Sequence, residues 1–213
     1  MRIFAVTPIH VPAEELARRQ ARYDALCPPG LTVELHDIGV AAPRALDTEQ
    51  QVRDSEGMVT EALRGAPDEA DALLPDCVLD PGVPALAGQL GRPVFGLLRT
   101  SMTWSALAGR SVGAVTRNRP IADELARQVD AYGLGSSFTG VEVLDLDVDA
   151  IHQADRWAAS LEAVVGRMGR AGAGDLVNGC SAVDLPAEAA AWPVRVVDPT
   201  ALALRLIAAG EAA

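Results

Sequence analysis

Along this chain, short apolar runs alternate with stretches in which apolar positions return every three or four residues. The first kind reads as buried strands, the second as helices packed on one face. Strands are predicted over 2–7, 31–36, 71–74 and 93–98, with helices over 12–26 and 48–64 between them. In the first helix Leu16, Tyr23 and Leu26 share a face with the stem of Arg19, and Cys27-Pro28-Pro29-Gly30 stops it. Thr48 and Gln51 stand at capping-box spacing. Asp80-Pro81 reads as an N-cap followed by proline at the first helical position, and a helix over 101–107 follows the fourth strand.

The pattern then restarts. Strands are predicted over 111–116, 138–144, 175–177 and 194–197, and helices over 121–132, 150–168 and 201–209. Strands alternating with helices throughout imply an α/β protein with one parallel sheet or two. Residue identities repeat along with the pattern. Ala5-Val6-Thr7 matches Ala114-Val115-Thr116, 109 positions later, and Glu15-Leu16-Ala17-Arg18 matches Glu124-Leu125-Ala126-Arg127 at the same offset. Cys77 matches Cys180 at an offset of 103, and Pro93-Val94 matches Pro193-Val194 at 100. The ordered set points to two duplicated βα halves facing each other.

Size and charge narrow the function classes. The 213 residues suffice for one large domain or two small ones with a real core. A net charge of −11 without a Lys/Arg run argues against a nucleic-acid partner. No apolar run approaches membrane-spanning length, and Thr7-Pro8-Ile9-His10 interrupts the first one too early for a leader, so a cytoplasmic location is expected. The three cysteines are too few and too scattered for a disulfide framework or a zinc site, and His10, His36 and His152 lack metal-ligand spacing. No metal site is expected.

The chemistry concentrates on two thiols. Cys77 and Cys180 each follow a short apolar strand, at the carboxyl end where parallel sheets keep their ligand sites. If the halves are related by a pseudo-two-fold axis, the two thiols approach one cleft from opposite sides. A thiol can both remove and return a proton, because its ordinary pKa is about 8.5 and a helix N-terminus lowers it. Each cysteine precedes an expected helix start, whose N–H groups also suit carboxylate or enolate oxygens. Such a pair fits proton removal from one face of a carbon and return to the other. Cys27, in a helix stop without a counterpart in the second half, reads as packing.

Cys77-Val78-Leu79-Asp80-Pro81-Gly82 and Asn178-Gly179-Cys180-Ser181 resemble the two cysteine motifs of the aspartate/glutamate racemase superfamily, closest to its hydantoin racemase branch. Pro93-Val94-Phe95-Gly96 is similar to the strand that follows the first motif, and residues 193–209 to the closing strand and helix, so the resemblance spans essentially the whole chain. It implies two flavodoxin-like domains, each with a four-stranded parallel sheet: residues 1–98 with 200–213, and residues 99–199. It also implies a site between them, no cofactor and a two-thiol mechanism. The helix after each fourth strand is implied to pack on the other half.

The resemblance and the residues together nominate a substrate-binding set. The loop after the first strand, Thr7-Pro8-Ile9-His10, stands where the hydantoin branch commonly has an Asn-Pro-Asn type loop. Thr7 lies in that loop, and His10 offers a hydrogen bond to a carboxylate or carbonyl. Thr116 and Asn118 match the position of a polar group after the fifth strand, or else cap the strand end. Ser181 adds a donor beside the second cysteine. Apolar Val78-Leu79 replaces the polar pair of amino-acid racemases and points away from aspartate and glutamate. Arg99, Arg117 and Arg119 are candidates to attract an anion or to stay solvated.

The expected activity is a cofactor-independent racemase or epimerase acting on a small molecule, a carboxylate or a cyclic imide or amide. Its reaction is placed at a carbon next to a carbonyl, in a hydantoin-like or amino-acid-derived substrate. A maleate-type cis–trans isomerase or a decarboxylase of the same superfamily is the alternative. A non-catalytic small-molecule-binding protein is a third reading. Met102-Thr103-Trp104 offers an apolar face to a second copy, making a homo-oligomer, or to the helix's own core.

Overall fold

The computed structural model describes residues 1–211 and folds them into two compact α/β units. The first comprises Met1–Leu97 and the segment beginning at Thr200. Its sheet has the order β2-β1-β3, all parallel, from β1 (Arg2–Val6), β2 (Thr32–His36) and β3 (Ala72–Pro75). β3 is buried along its whole length, whereas edge strand β2 buries Val33 and Leu35 and exposes Thr32 and Glu34. This matches the run-versus-alternation difference in the sequence.

Alternation along the strands splits the apolar side chains into two layers. Ile3, Ala5, Ala72 and Leu74 pack with Tyr23 of α1 (Ala13–Leu26) and with Ala203, Leu204 and Ile207 of α7 (Pro199–Glu211). Val6 and Leu73 pack with Val59 and Leu63 of α2 (Glu49–Arg64) and with Val83 and Leu86 of α3 (Val83–Leu86). The Thr48–Gln51 capping box forms as expected.

Three expectations need correction here. The stretch 93–98 contributes no named strand: Val94 makes a single bridge to Leu73, and α4 (Leu97–Leu107) begins three residues later. Pro93 has no N–H to extend the ladder, and Gly96 lets the chain turn against the Asp80 carboxylate, where a Cβ would overlap it. The first sheet is therefore three-stranded. Asp80 does not cap a helix either: it has φ 50°, and the four-residue α3 starts later, behind Gly82. The buried face of α1 is Glu15, Arg19, Arg22 and Tyr23, with Leu16 and Leu26 only partly covered.

The second unit comprises Leu98–Pro199. Its four parallel strands are β4 (Val112–Thr116), β5 (Phe138–Val143), β6 (Asp175–Asn178) and β7 (Arg195–Val197), in the order β5-β4-β6-β7. With Val94 counted beside β3, the first unit repeats this order. α4, α5 (Arg119–Ala131) and α6 (Ala154–Arg170) are its α-helices, and Trp157, Leu161, Val164 and Met168 of α6 pack with Val115 and Leu176. The helix expected over 150–168 starts later, because the Asp147 side chain caps a 3-10 turn, Val148–His152, ahead of it. At the start of β6 the fully buried Asp175 accepts hydrogen bonds from Ser105 Oγ (2.6 Å), Arg110 Nε (2.8 Å) and Arg195 Nε (2.7 Å).

Candidate active site

Cys77 stands two residues beyond β3, in a loop folded on itself. The Asp76 N–H extends the parallel ladder by donating to Val6 O, the Cys77 N–H donates to Pro75 O, and the Asp80 N–H to Cys77 O. The Leu79 N–H points at Cys77 Sγ, 3.4 Å away. Cys77, Val78 and Leu79 are all buried. No long helix starts here among the described residues, so the expected helix N-terminus is not built beside the sulfur, and the Leu79 N–H points at it instead.

A buried polar network behind the loop escaped the sequence reading. Tyr23 Oη donates to Asp76 Oδ1 at 2.9 Å, Arg19 reaches Asp76 Oδ2 at 3.3 Å, and Arg19 Nε donates to Glu15 Oε1 at 2.6 Å. Burial pushes the Tyr23 phenol well above its ordinary range, and the Asp76 charge and hydrogen bond add to the rise. Glu15 moves the other way. Burial raises its pKa, but the hydrogen bonds and charges of Arg18 and Arg19 outweigh that and hold it low. The signal lay in Arg19, Tyr23 and Asp76, but α1's charges carry the polar pattern of a solvated face.

Beside Cys77, Val6 and Pro75 are paired neighbours, so the loop after β1 leaves the same sheet edge. Thr7 is fully buried and its hydroxyl is engaged with loop backbone, donating to Ile9 O (2.8 Å) and accepting from the Ile38 N–H (3.2 Å). Thr7 thus ties two loops together. His10 is half-buried, with Nδ1 2.8 Å from Asp37 Oδ2. Asp37 also accepts from the Val11 N–H (2.8 Å) and the Gly39 N–H (2.9 Å). Burial raises the Asp37 pKa, yet these hydrogen bonds together lower it below the usual carboxylate range.

In the second unit Cys180 likewise stands two residues beyond its strand, β6, and is partly exposed. Gly179 before it is obligatory, because a Cβ there would overlap the carbonyl oxygen of Val115. Asn178 holds the loop from behind. Its Oδ1 accepts from Trp157 Nε1 at 3.0 Å, and its Nδ2 reaches Cys180 O at 3.3 Å and Val183 O at 3.4 Å. Ser181 is buried beside the thiol. A turn follows, and no α-helix starts after Cys180 until α7.

The polar residues after β4 have structural contacts. Asn118 Oδ1 accepts from the Ile121 N–H (3.0 Å) as the N-cap of α5, and Thr116 Oγ1 donates to Asn118 O (3.3 Å). Arg117 is buried and bonds Leu146 O, while Arg119 is exposed and paired with Asp123. Met102 is fully buried, so the apolar stretch at Trp104 is not a continuous surface face. An apolar depression lined by Leu185, Trp192, Arg195 and Val196 contains none of the predicted site residues. Among the described residues no cluster of His, Cys, Asp and Glu could hold a metal ion, and no helix is long and apolar enough to cross a membrane.

The family model described as Asp/Glu/Hydantoin racemase matches residues 15–207, which include both cysteine loops. The chain belongs to the Asp/Glu/Hydantoin racemase family. Solved structures share the fold. The chain is similar to an allantoin racemase from Klebsiella pneumoniae (21% identity, TM-score 0.77), over 100% of this chain and 88% of that one. It is similar to an allantoin racemase from Pseudomonas fluorescens (17%, 0.84), over 98% and 90%. A maleate isomerase from Pseudomonas putida S16 also aligns (12%, 0.65), over 100% and 93%. No curated protein sequence matches the chain significantly. The family thus includes the hydantoin-type branch that the two cysteine motifs resemble.

Proposed function

We propose that this member of the racemase family is a cofactor-independent racemase or epimerase, and that Cys77 and Cys180 are its acid–base pair. The observation that carries this reading is the matched placement of the two thiols. Each lies two residues past the strand that neighbours the first strand of its sheet, in a loop whose own hydrogen bonds hold it. In this reading one thiolate removes the proton α to a carbonyl and becomes a thiol. The electron pair moves onto the carbonyl oxygen as an enolate. The second thiol protonates the other face and becomes the thiolate, so the pair ends with its roles exchanged.

A hydantoin-like ring or a related amino-acid derivative fits as substrate. Its α-proton is acidic enough for two modest thiols, and the apolar Val78 and Leu79 beside Cys77 suit a ring better than a second carboxylate. Thr116, Asn118 and Ser181 serve this reading through the shape of the second loop, with Thr116 and Asn118 holding its neighbour in place. The test is solvent exchange. Wild type in D2O incorporates deuterium at C5 of 5-isopropylhydantoin or allantoin, and Cys77→Ser or Cys180→Ser lowers the rate by about 10²–10⁴-fold. Absence of exchange with hydantoins, amino acids and α-substituted acids, with thiols inert to iodoacetamide, overturns it.

A further inference from the structure

We propose that Asp37 is a positioning residue that fixes the tautomer of His10, and that the pair makes the site select substrates with a ring N–H. The substrate part rests on the reading just given; the tautomer part does not. An ionised carboxylate can only accept hydrogen bonds. Val11 and Gly39 already donate their backbone N–H groups to Asp37, one to each oxygen, which keeps the carboxylate in its acceptor form and fixed in place. Facing it at 2.8 Å, Nδ1 of His10 must carry the hydrogen. In the neutral ring Nε2 is then a lone-pair acceptor, and among the described residues it has no hydrogen-bond partner.

His10 and Cys77 leave neighbouring strands at one sheet edge, since Val6 pairs with Pro75 and the Asp76 N–H continues that ladder. An acceptor there complements a donor on the substrate: the N–H of a cyclic ureide or imide, which a free carboxylate lacks. The arrangement parallels carboxylate–histidine pairs elsewhere, in which the carboxylate decides what the far nitrogen does.

Histidine side chains labelled with ¹⁵N test the first part directly. His10 is assigned by its loss in His10→Gln. On the alkaline plateau of its titration, wild-type His10 is expected to show a protonated Nδ1 and a bare Nε2; the reverse overturns the proposal whatever the enzyme does. Adding 5-isopropylhydantoin is expected to shift the Nε2 signal, and a bound ligand that leaves it unmoved overturns the second part. For exchange, wild type is expected to prefer 5-isopropylhydantoin over its N1-methyl or its N3-methyl derivative by about tenfold or more. Asp37→Asn, which puts an amide N–H or an unmatched acceptor into this network, is expected to invert the His10 tautomer and abolish that preference. A preference that survives in Asp37→Asn overturns the selection role. No exchange by wild type with any hydantoin counts against the functional reading alone, and the tautomer still decides the role of Asp37.

Discussion

Asn178 Oδ1 accepts the indole N–H of Trp157 at 3.0 Å, with both side chains fully buried. This bond joins the first turn of α6 to the residue that precedes the Gly179–Cys180 turn. Asn178→Ala leaves the Trp157 N–H without its acceptor and releases the Cys180 and Val183 carbonyls. A loss of about 2–4 kcal/mol is expected, because unsatisfied buried groups cost about 1–3 kcal/mol each. Urea unfolding read on Trp fluorescence measures it, and proton exchange should fall even where the variant remains folded.

Gly179→Ala is expected to be more severe. The atom in the way is backbone, the Val115 carbonyl oxygen inside the central strand, so no rotamer change relieves the overlap. The expected cost exceeds about 4 kcal/mol, with little soluble protein. Soluble yield and circular dichroism check this. A well-folded, active Gly179→Ala protein would mean the Cys180 turn is built differently.

Asp175 governs the acid side of stability. Burial raises its pKa, but hydrogen bonds from Arg195, Ser105 and Arg110 outweigh this and leave it lowered. The native state therefore binds fewer protons than the unfolded one just below the unfolded carboxylate pKa. The contribution is complete above about pH 4 and is lost as pH falls through the lower native value. Asp175→Asn removes a buried partner from Arg110 and Arg195 and should cost about 3–5 kcal/mol at pH 7. Its melting temperature should also depend less on pH below about 4 than that of wild type.

Tyr23 should resist alkaline titration. With burial, then the Asp76 charge and hydrogen bond, raising its pKa, one phenol should ionise only as the fold opens. The missing amplitude at 295 nm should be absent from the wild-type minus Tyr23→Phe difference spectrum until unfolding. The raised native pKa means this stability is present below about pH 10 and is lost as pH rises beyond it. Tyr23→Phe should cost about 1–3 kcal/mol at pH 7 because Asp76 keeps Arg19 but loses a donor.

Much of this was legible because it is local. Strand and helix periods placed nearly every element, and Thr48 with Gln51 marked a cap that forms as spelled. The repeat at Cys77 and Cys180 located two loops that share one place in their sheets. What stayed hidden depends on distant partners. Val94 has β propensity, but Pro93 and Gly96 limit the strand to one bridge. Asp80-Pro81 has the spelling of a helix start, yet Asp80 adopts a left-handed conformation with its carboxylate packed against Gly96. Glu15 and Arg19 look like a wet helix face until Asp76, just past β3, supplies a second carboxylate to Arg19, which itself pairs with Glu15. Asp37 carried no signal towards His10, 27 residues before it, because α1 and β2 lie between them and only the parallel pairing of β1 with β2 brings their loops together.

The last helix has a consequence for how the protein is made. Ala203, Leu204 and Ile207 fill the layer under Ile3, Ala5 and Leu74, although about a hundred residues of the other unit are translated in between. The first unit therefore leaves the ribosome with one wall of its core missing, and that wall arrives only after the second unit has been made. Vectorial folding cannot finish the first unit first. The nascent chain must hold an open apolar face in reserve while the second unit forms, which makes that interval the period of greatest exposure to chaperones and to aggregation.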